Sequence, residues 1–577
     1  MWPERLRRSL RRGIALSFSL FAVLAIRAQN PSMPAPRPES SVASAATPSS
    51  AASPSTNQTA QQQSGTVVCP VNTQTAPPLS GPLAAARDLY RIGKFDEAVA
   101  AYNAILPSGV AESAAAYAGL SRVYLKQKRV DDADLAAQKA VALTPGRAPA
   151  IVAQGEVYFR EGKLSEAEKL FLTPLLACNL DARAYLGLTR LYRATLNFKI
   201  ARKYIEQAYK LDPGDPDIRR LYMTTLSGAE RIEFLKQYLA GLTDDDAETR
   251  TNMERELAML EQRDSQSAND CRLMTKVSET HTNLEPLLYD PTHIRGYGLN
   301  VKVNGTSAKL MLDTGASGIL VDSKIAEKAG VKRLVDQDIH GIGDRAAPLG
   351  YLGYAEKIQI GELEFQNCYV DVVPGRDVIG DDGLIGADVF RHFLVDLDMP
   401  DGKVKLSPLP PIPDEPATTA SLETQSASVR HLHNRYIAPE MKDYAQIFLF
   451  GHDMLIPTHV NGSPAKLFLI DTGSFDDTIS PSAAREVTKI NQDDDVKVKG
   501  LNGYVKKVYT ANNVTLHFSH FEQKRQDLVT FDLTHISDAA GTEISGVLGF
   551  AMLRMLDMKI DYRDGLVNFT YDEKRFH

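Results

Sequence analysis

The run LMLDTGAS at 310–317 comes back as LIDTGSF at 469–475, with the two aspartates 158 residues apart. Each run closes a longer repeated stretch. GYGLNVKVNGTSAKLMLDTG (296–315) and MLIPTHVNGSPAKLFLIDTG (454–473) both read as a strand, an Asn-Gly turn and a second strand with period-two alternation. Downstream, GLIGADVFRHFLVDLDMPDGKVKL (383–406) aligns with GVLGFAMLRMLDMKIDYRDGLVNF (546–569) at a constant offset of 163. Gly386 meets Gly549, Arg391 meets Arg554, and the turn Asp401-Gly402 meets Asp564-Gly565. A whole β unit therefore occurs twice, and the second half of the chain must fold as two copies of one β architecture.

Apolar run, Asp-Thr-Gly, small residue and a late apolar-apolar-Gly together resemble the retropepsin-like aspartic proteases. The late glycine follows the aspartate by 73 residues in the first unit and by 78 in the second, a span suited to a small single-lobe protease fold. The resemblance implies that Asp313 and Asp471 face each other and share one proton, because two adjacent carboxylates cannot both ionise cheaply. One would draw a proton from a held water while the other polarises the scissile carbonyl. Thr314, Gly315, Thr472 and Gly473 would support the active-site loops, with Gly386 and Gly549 as the late glycines. No metal or other cofactor is implied.

The units depart from the retroviral pattern. Where those members carry an aspartate two residues after the triplet and an arginine just after the late glycine, this chain has Ser317 with Ala387, and Phe475 with Phe550. Asp476 and Asp477 read as a solvated loop or a helix start, Asp381-Asp382 as a turn, and His431 and His433 as surface residues. Two Gly- and Tyr-rich stretches, 340–354 and 499–509, are candidates for the hairpin that closes over substrate.

Ahead of the β units the texture is helical. Tyr124, Tyr158 and Tyr192 recur every 34 residues, as do Ala133, Ala167 and Ala201, and Pro145 and Pro213 lie two periods apart. Gly93 and Gly162 fall where a helix pair turns. This period resembles the tetratricopeptide repeat, with units starting near 83, 114, 148 and 182. It implies a solenoid that presents a surface to a protein partner, and the stretch holds no evident cluster of titratable groups.

The remaining features place these parts in order. A basic start (RLRRSLRR) and a short apolar run read as a signal peptide over 1–28, and a Pro/Ala/Ser/Thr/Gln-rich stretch over 29–81 as a disordered linker. The helical repeat domain is expected over 82–264, the first protease-like unit over 265–408, a linker over 409–435 and the second unit over 436–577. Four cysteines allow three pairings. Cys271–Cys368 is favoured because both fall near one unit, which leaves Cys69 with Cys178. A net charge of −7 excludes nucleic acid as the main partner.

The chain reads as multidomain: an all-α tetratricopeptide-repeat solenoid followed by two all-β units. The expected function is that of an exported bacterial aspartic endopeptidase, periplasmic or secreted, acting on a protein or peptide substrate. It would be a monomer whose units pair within one chain, without a membrane span after signal cleavage. The alternative is a catalytically inactive protease-like scaffold that binds proteins.

Overall fold

The computed structural model describes residues 81–241, 247–266, 271–291, 293–339, 341–345, 347–374, 382–413 and 433–576. The signal-peptide reading, nearly all of the first linker and most of the second fall outside these residues.

Helix pairs fill the first part. Gly81–Arg91 with Phe95–Ile105, Val110–Lys126 with Val130–Leu143, Ala148–Arg160 with Leu164–Ala177, and Ala182–Ala194 with Phe198–Leu211 make four successive repeats. Pro216–Met223, Gly228–Ala240 and Ala247–Gln266 follow. The 34-residue period has a backbone cause: the turn inside each pair needs a left-handed residue. Gly93 (φ 84°), Lys128 (φ 61°), Gly162 (φ 75°) and Leu196 (φ 57°) occupy it in turn. Glycine takes that conformation freely, so it marks only two of the four turns in the sequence.

Each β unit is built on the same crossing of strands. In the first, Thr306–Asp313 pairs antiparallel with His293–Val303 and parallel with Gly383–Gly386, and Gly383–Gly386 also pairs with Ile319–Asp322. In the second, Lys466–Asp471 pairs with Asp453–Val460 and with Gly546–Gly549 in the same senses. The register sets Gly386 beside Asp313 and Gly549 beside Asp471. Both Asn-Gly turns have positive φ at both residues, as a two-residue hairpin turn requires.

The two units share a third, six-stranded sheet. Leu394–Asp398 of the first pairs antiparallel with Asp557–Asp561 of the second, Leu394 opposite Asp561 and Asp398 opposite Asp557. One apolar core runs through this seam, with Leu310, Leu312, Ile385, Val395 and Leu397 from one side and Phe468, Ile470, Leu548, Met558 and Ile560 from the other. Asp561 is fully buried here, and burial, then the charge of Asp564, pushes its carboxyl up to about 6. The folded chain thus binds more protons at Asp561 than the unfolded chain between ~4 and about 6. Its contribution to stability falls as pH rises through that window. Asp561→Asn is expected to flatten that part of the slope in thermal melts taken across it; an unchanged slope would contradict the assignment.

The helical region is joined to the second unit by a common core. Val152, Phe159, Phe171 and Leu188 cluster with Phe450, Leu455, Leu467, Leu469, Ile544 and Val547. The Phe159 and Phe450 ring centroids are 5.7 Å apart. Thr542 Oγ1 donates to the Phe159 carbonyl (2.9 Å), Glu543 N donates to the Arg160 carbonyl (2.7 Å), and Arg160 pairs with Asp538. At the edge of this contact Phe198 N donates to the His433 carbonyl (3.1 Å). His433 Nε2 lies 3.4 Å from the buried Asp564, so its reading as a surface residue is corrected.

A disulfide joins Cys271 to Cys368 on strand Leu363–Val373, anchoring the chain that leaves the helical region. Cys178 is also disulfide-bonded; Cys69 lies outside the described residues. Among the described residues no helix is long and apolar enough to cross a membrane.

Candidate active site

The aspartates end strands Thr306–Asp313 and Lys466–Asp471, and the threonines after them tie the strand ends together. Thr314 N donates to Thr472 Oγ1 (3.0 Å), and Thr472 N to Thr314 Oγ1 (3.0 Å). Each hydroxyl in turn donates across the seam, Thr314 Oγ1 to the Ile470 carbonyl (2.8 Å) and Thr472 Oγ1 to the Leu312 carbonyl (2.9 Å). Both threonines are buried, so these four bonds account for donors and acceptors that water cannot reach. A hydroxyl that both accepts and donates is needed, which valine cannot supply.

This grip sets the carboxyl groups against each other. A Cβ on Gly473 would collide with the carboxyl of Asp313, and one on Gly315 would sit 2.7 Å from Asp471 Cγ. Glycine is there because a carboxylate from the other unit occupies the space. Gly315 N donates to Asp313 Oδ1 (2.8 Å) and Gly473 N to Asp471 Oδ1 (2.8 Å), while Ser474 N adds a second bond to Asp471 Oδ1 (3.1 Å).

Both carboxyls are held above the usual range. For Asp313 burial is the main cause, followed by the charge of Asp471 and their shared hydrogen bond, and it stands well above. Burial also raises Asp471, but the bond from Asp313, the two backbone N–H groups and His452 favour its charged form. The pair shares one proton between two buried carboxyls, and the stronger upward push falls on Asp313. Two apparent constants belong to such a pair jointly.

The late glycines pack against the aspartate loops. Gly386 N donates to the Gly318 carbonyl (2.8 Å), and a Cβ at Gly386 would sit 2.5 Å from the Ala316 carbonyl oxygen. Gly549 N donates to Asp477 Oδ1 (2.8 Å). Asp477 also accepts from Arg525 Nη1 (2.7 Å) and Gln523 Nε2 (2.9 Å) and is fully buried, which corrects its reading as a solvated residue. In the first unit Asp388 does the comparable work, accepting from Ser317 Oγ (3.0 Å) and Gly318 N (2.9 Å). Each unit thus keeps a carboxylate that braces its loop, two residues after the late glycine in one and four after the triplet in the other. Position relative to the motif gave no signal for either, and Arg525 lies 48 residues beyond Asp477.

The two flap candidates meet at their tips. Strands Lys332–Asp338 and Leu349–Ile360 form a hairpin in the first unit. In the second, Lys499–Gly500 pairs with Gly503–Tyr504. Asn502 N donates to the Ile342 carbonyl (2.9 Å), Arg345 N to the Asn502 carbonyl (2.9 Å) and Lys506 N to Asp344 Oδ2 (2.8 Å). Their apolar side chains cross over. Leu501 packs with Met311 and Leu384 of the first unit, and Ile342 packs with Val498 and Val505 of the second.

The helical region does hold a titratable cluster, contrary to the sequence reading. Asp217 is 3% exposed and lies among Lys126 (2.5 Å), Arg183 (3.0 Å) and Arg190 (3.6 Å), with Tyr90 donating to it at 2.9 Å. Burial alone would raise its carboxyl, but these cations outweigh it and hold the group well below the usual range. The cluster links Gly81–Arg91 to Pro216–Met223 across 127 residues of sequence, a connection that no local pattern announces. Among the described residues, no group of His, Cys, Asp and Glu is arranged to hold a metal ion.

Two lobes, each giving one Asp-Thr-Gly loop to a common seam, define the aspartic protease class of fold. Family models agree: residues 299–392 match a gag-polyprotein putative aspartyl protease, 456–552 an aspartyl protease, and 83–148 a tetratricopeptide repeat. The chain carries two tandem retropepsin-like aspartic protease units fused to tetratricopeptide repeats.

Relatives include the UBA domain-containing protein Mud1 of Schizosaccharomyces pombe, 30% identical over 19% of this chain and 32% of that protein. DNA damage-inducible protein 1 of Neurospora crassa is 29% identical over 22% of this chain and 28% of its own length. The chain thus spans about a third of the length of the curated relatives it matches. A thermophilic tetratricopeptide protein of Thermus thermophilus is 22% identical, covering 31% of this chain and 97% of its own, at a TM-score of 0.24. The curated relatives are fungal proteins, which overturns the expectation of a bacterial protein exported to the periplasm or the medium.

Proposed function

We propose that this chain is an aspartic endopeptidase with a single dyad, Asp313 and Asp471, and that its helical repeats engage a protein partner or substrate. The reading rests on one observation: the reciprocal threonine grip brings both triplets to one place within one chain. Asp471, ionised, takes a proton from a water held between the carboxyls as that water attacks the peptide carbonyl carbon. Asp313, protonated, donates to the carbonyl oxygen as charge develops there. Collapse of the tetrahedral intermediate breaks the C–N bond, the proton taken by Asp471 passes to the leaving amine, and one hydroxyl of the intermediate returns a proton to Asp313 as the carboxylic acid product forms. Gly315, Gly473, Gly386 and Gly549 keep the carboxyls close, and Thr314 and Thr472 hold them rigid.

The full chain, incubated with a diverse peptide pool from acid to neutral pH, is expected to cleave it and to be inhibited by a statine-type transition-state mimic. Folded protein that neither cleaves at any pH nor binds the mimic would replace this reading with that of an inactive binding scaffold.

A further inference from the structure

The backbone donors around the two aspartates nearly match. Gly315 and Gly473 donate at equal distances, and Ala316 stands where Ser474 does. What breaks the two-fold relation lies on the neighbouring strands. Leu455 pairs with Leu469, and continuing that register by two residues puts Asp453 opposite Asp471. In the first unit Gly298 pairs with Met311, and the same step puts Gly296 opposite Asp313. At this strand position the second unit thus has a third carboxyl where the first has a glycine.

Asp453 has a companion. His452 Nε2 lies 3.4 Å from Asp453 Oδ1; the histidine is 41% exposed and the aspartate 15%. Few other charges reach this spot. The partner strand Lys466–Asp471 brings Asp471 here, and its Lys466 is at the far end, paired with Glu486. The hairpin strand Phe448–Phe450 has no titratable side chain. The third pairing, with Tyr509–Phe518, sets His517 opposite His459, six residues from Asp453. Asp313 acts from beyond Asp471.

We propose that His452 and Asp453 are positioning residues that widen the pH range over which the dyad holds a single proton. The inference rests on the dyad reading above and deepens it. A positive charge on the His452 ring, which acts on Asp471 as well as on Asp453, opposes protonation of the Asp471 carboxylate. At the alkaline end burial, offset in part by His452 and reinforced by Asp471, pushes Asp453 up to about 6. Above that point Asp453 is an anion beside the pair, and a like charge there makes the last shared proton harder to lose. The two residues therefore act on opposite limbs: His452 lowers the first dyad step and Asp453 raises the second.

The test uses the full chain with His452→Gln, Asp453→Asn and Asp453→Glu. Two readouts are followed: kcat/KM against pH, and a carboxyl-carbon NMR titration of aspartate-labelled protein assigned through Asp313→Asn and Asp471→Asn. His452→Gln is expected to move the acid limb up by about half a pH unit and leave the alkaline limb in place. Asp453→Asn is expected to move the alkaline limb down by a similar amount and leave the acid limb, and Asp453→Glu to restore it. Dyad steps unmoved in both variants, or both limbs moving together with a loss of melting temperature, would overturn the inference. If the wild-type chain cleaves nothing, the endopeptidase reading falls by itself, and the NMR steps still decide this one.

Discussion

Asp313→Asn and Asp471→Asn are each expected to lower peptide cleavage by about a thousandfold or more, with the fold intact. The size follows from the sharing of one proton. Asparagine matches the shape of aspartic acid but can neither take a proton from water nor pass one on, so either substitution removes half of the only pair. Stability is expected to survive, because both carboxyls are buried and raised, and a neutral side chain removes the cost of keeping charge there. The rival arrangement is a homodimer of like units, with one Asp313–Asp313 site and one Asp471–Asp471 site. It predicts that each single variant retains an intact site and substantial activity, lost only in the double variant. Kinetics of the two single variants and the double variant decide between them, provided melting temperatures show that all three are folded.

Phe159→Ala is expected to cost about 3–4 kcal/mol and to lower the unfolding temperature of the helical region and the second β unit together. Phe159 is 8% exposed, and its ring packs on Phe450 of a strand in the other region, inside a cluster that neither region closes alone. Truncation to 271–577 would uncover Leu455, Leu467 and Leu469 at once, and such a contiguous apolar patch drives aggregation. The helical region and the second unit are therefore expected to fold jointly. Calorimetry checks both claims: two transitions in the full chain with only the helical one shifted by Phe159→Ala, or a soluble, sharply melting 271–577 fragment, would refute the shared core.

Part of that core is visible in the sequence. Strand Lys466–Asp471 reads KLFLID, apolar on successive residues, and both of its faces are buried: Phe468 and Ile470 in the seam core, Leu467 and Leu469 against the helices. An unbroken apolar run signals cover on both faces but does not say what supplies it. The buried carboxylates were less legible still. Asp477 follows Asp476 in what reads as a polar loop, yet it is fully enclosed by Arg525, Gln523 and the Gly549 N–H, while Asp476 stays partly open. Asp453 sits in HDMLIP with nothing around it to suggest a carboxylate facing another.

The duplication, the strand–turn–strand pattern, the 34-residue helical period and the two protease-like units were settled by the sequence alone. Those features come from local rules, since alternation and helical periodicity decide which face is apolar, and turn residues decide where the chain reverses. Only the tertiary structure decided which of those faces meet. It brought Thr314 against Thr472, laid the helices on the second unit, enclosed Asp477 with Arg525 and set Asp453 opposite Asp471. The physical reason is that an aspartate or a leucine has the same local preferences whether water or protein covers it. Its charge state and its contribution to stability are set by partners outside its own stretch of sequence, which no local pattern can encode.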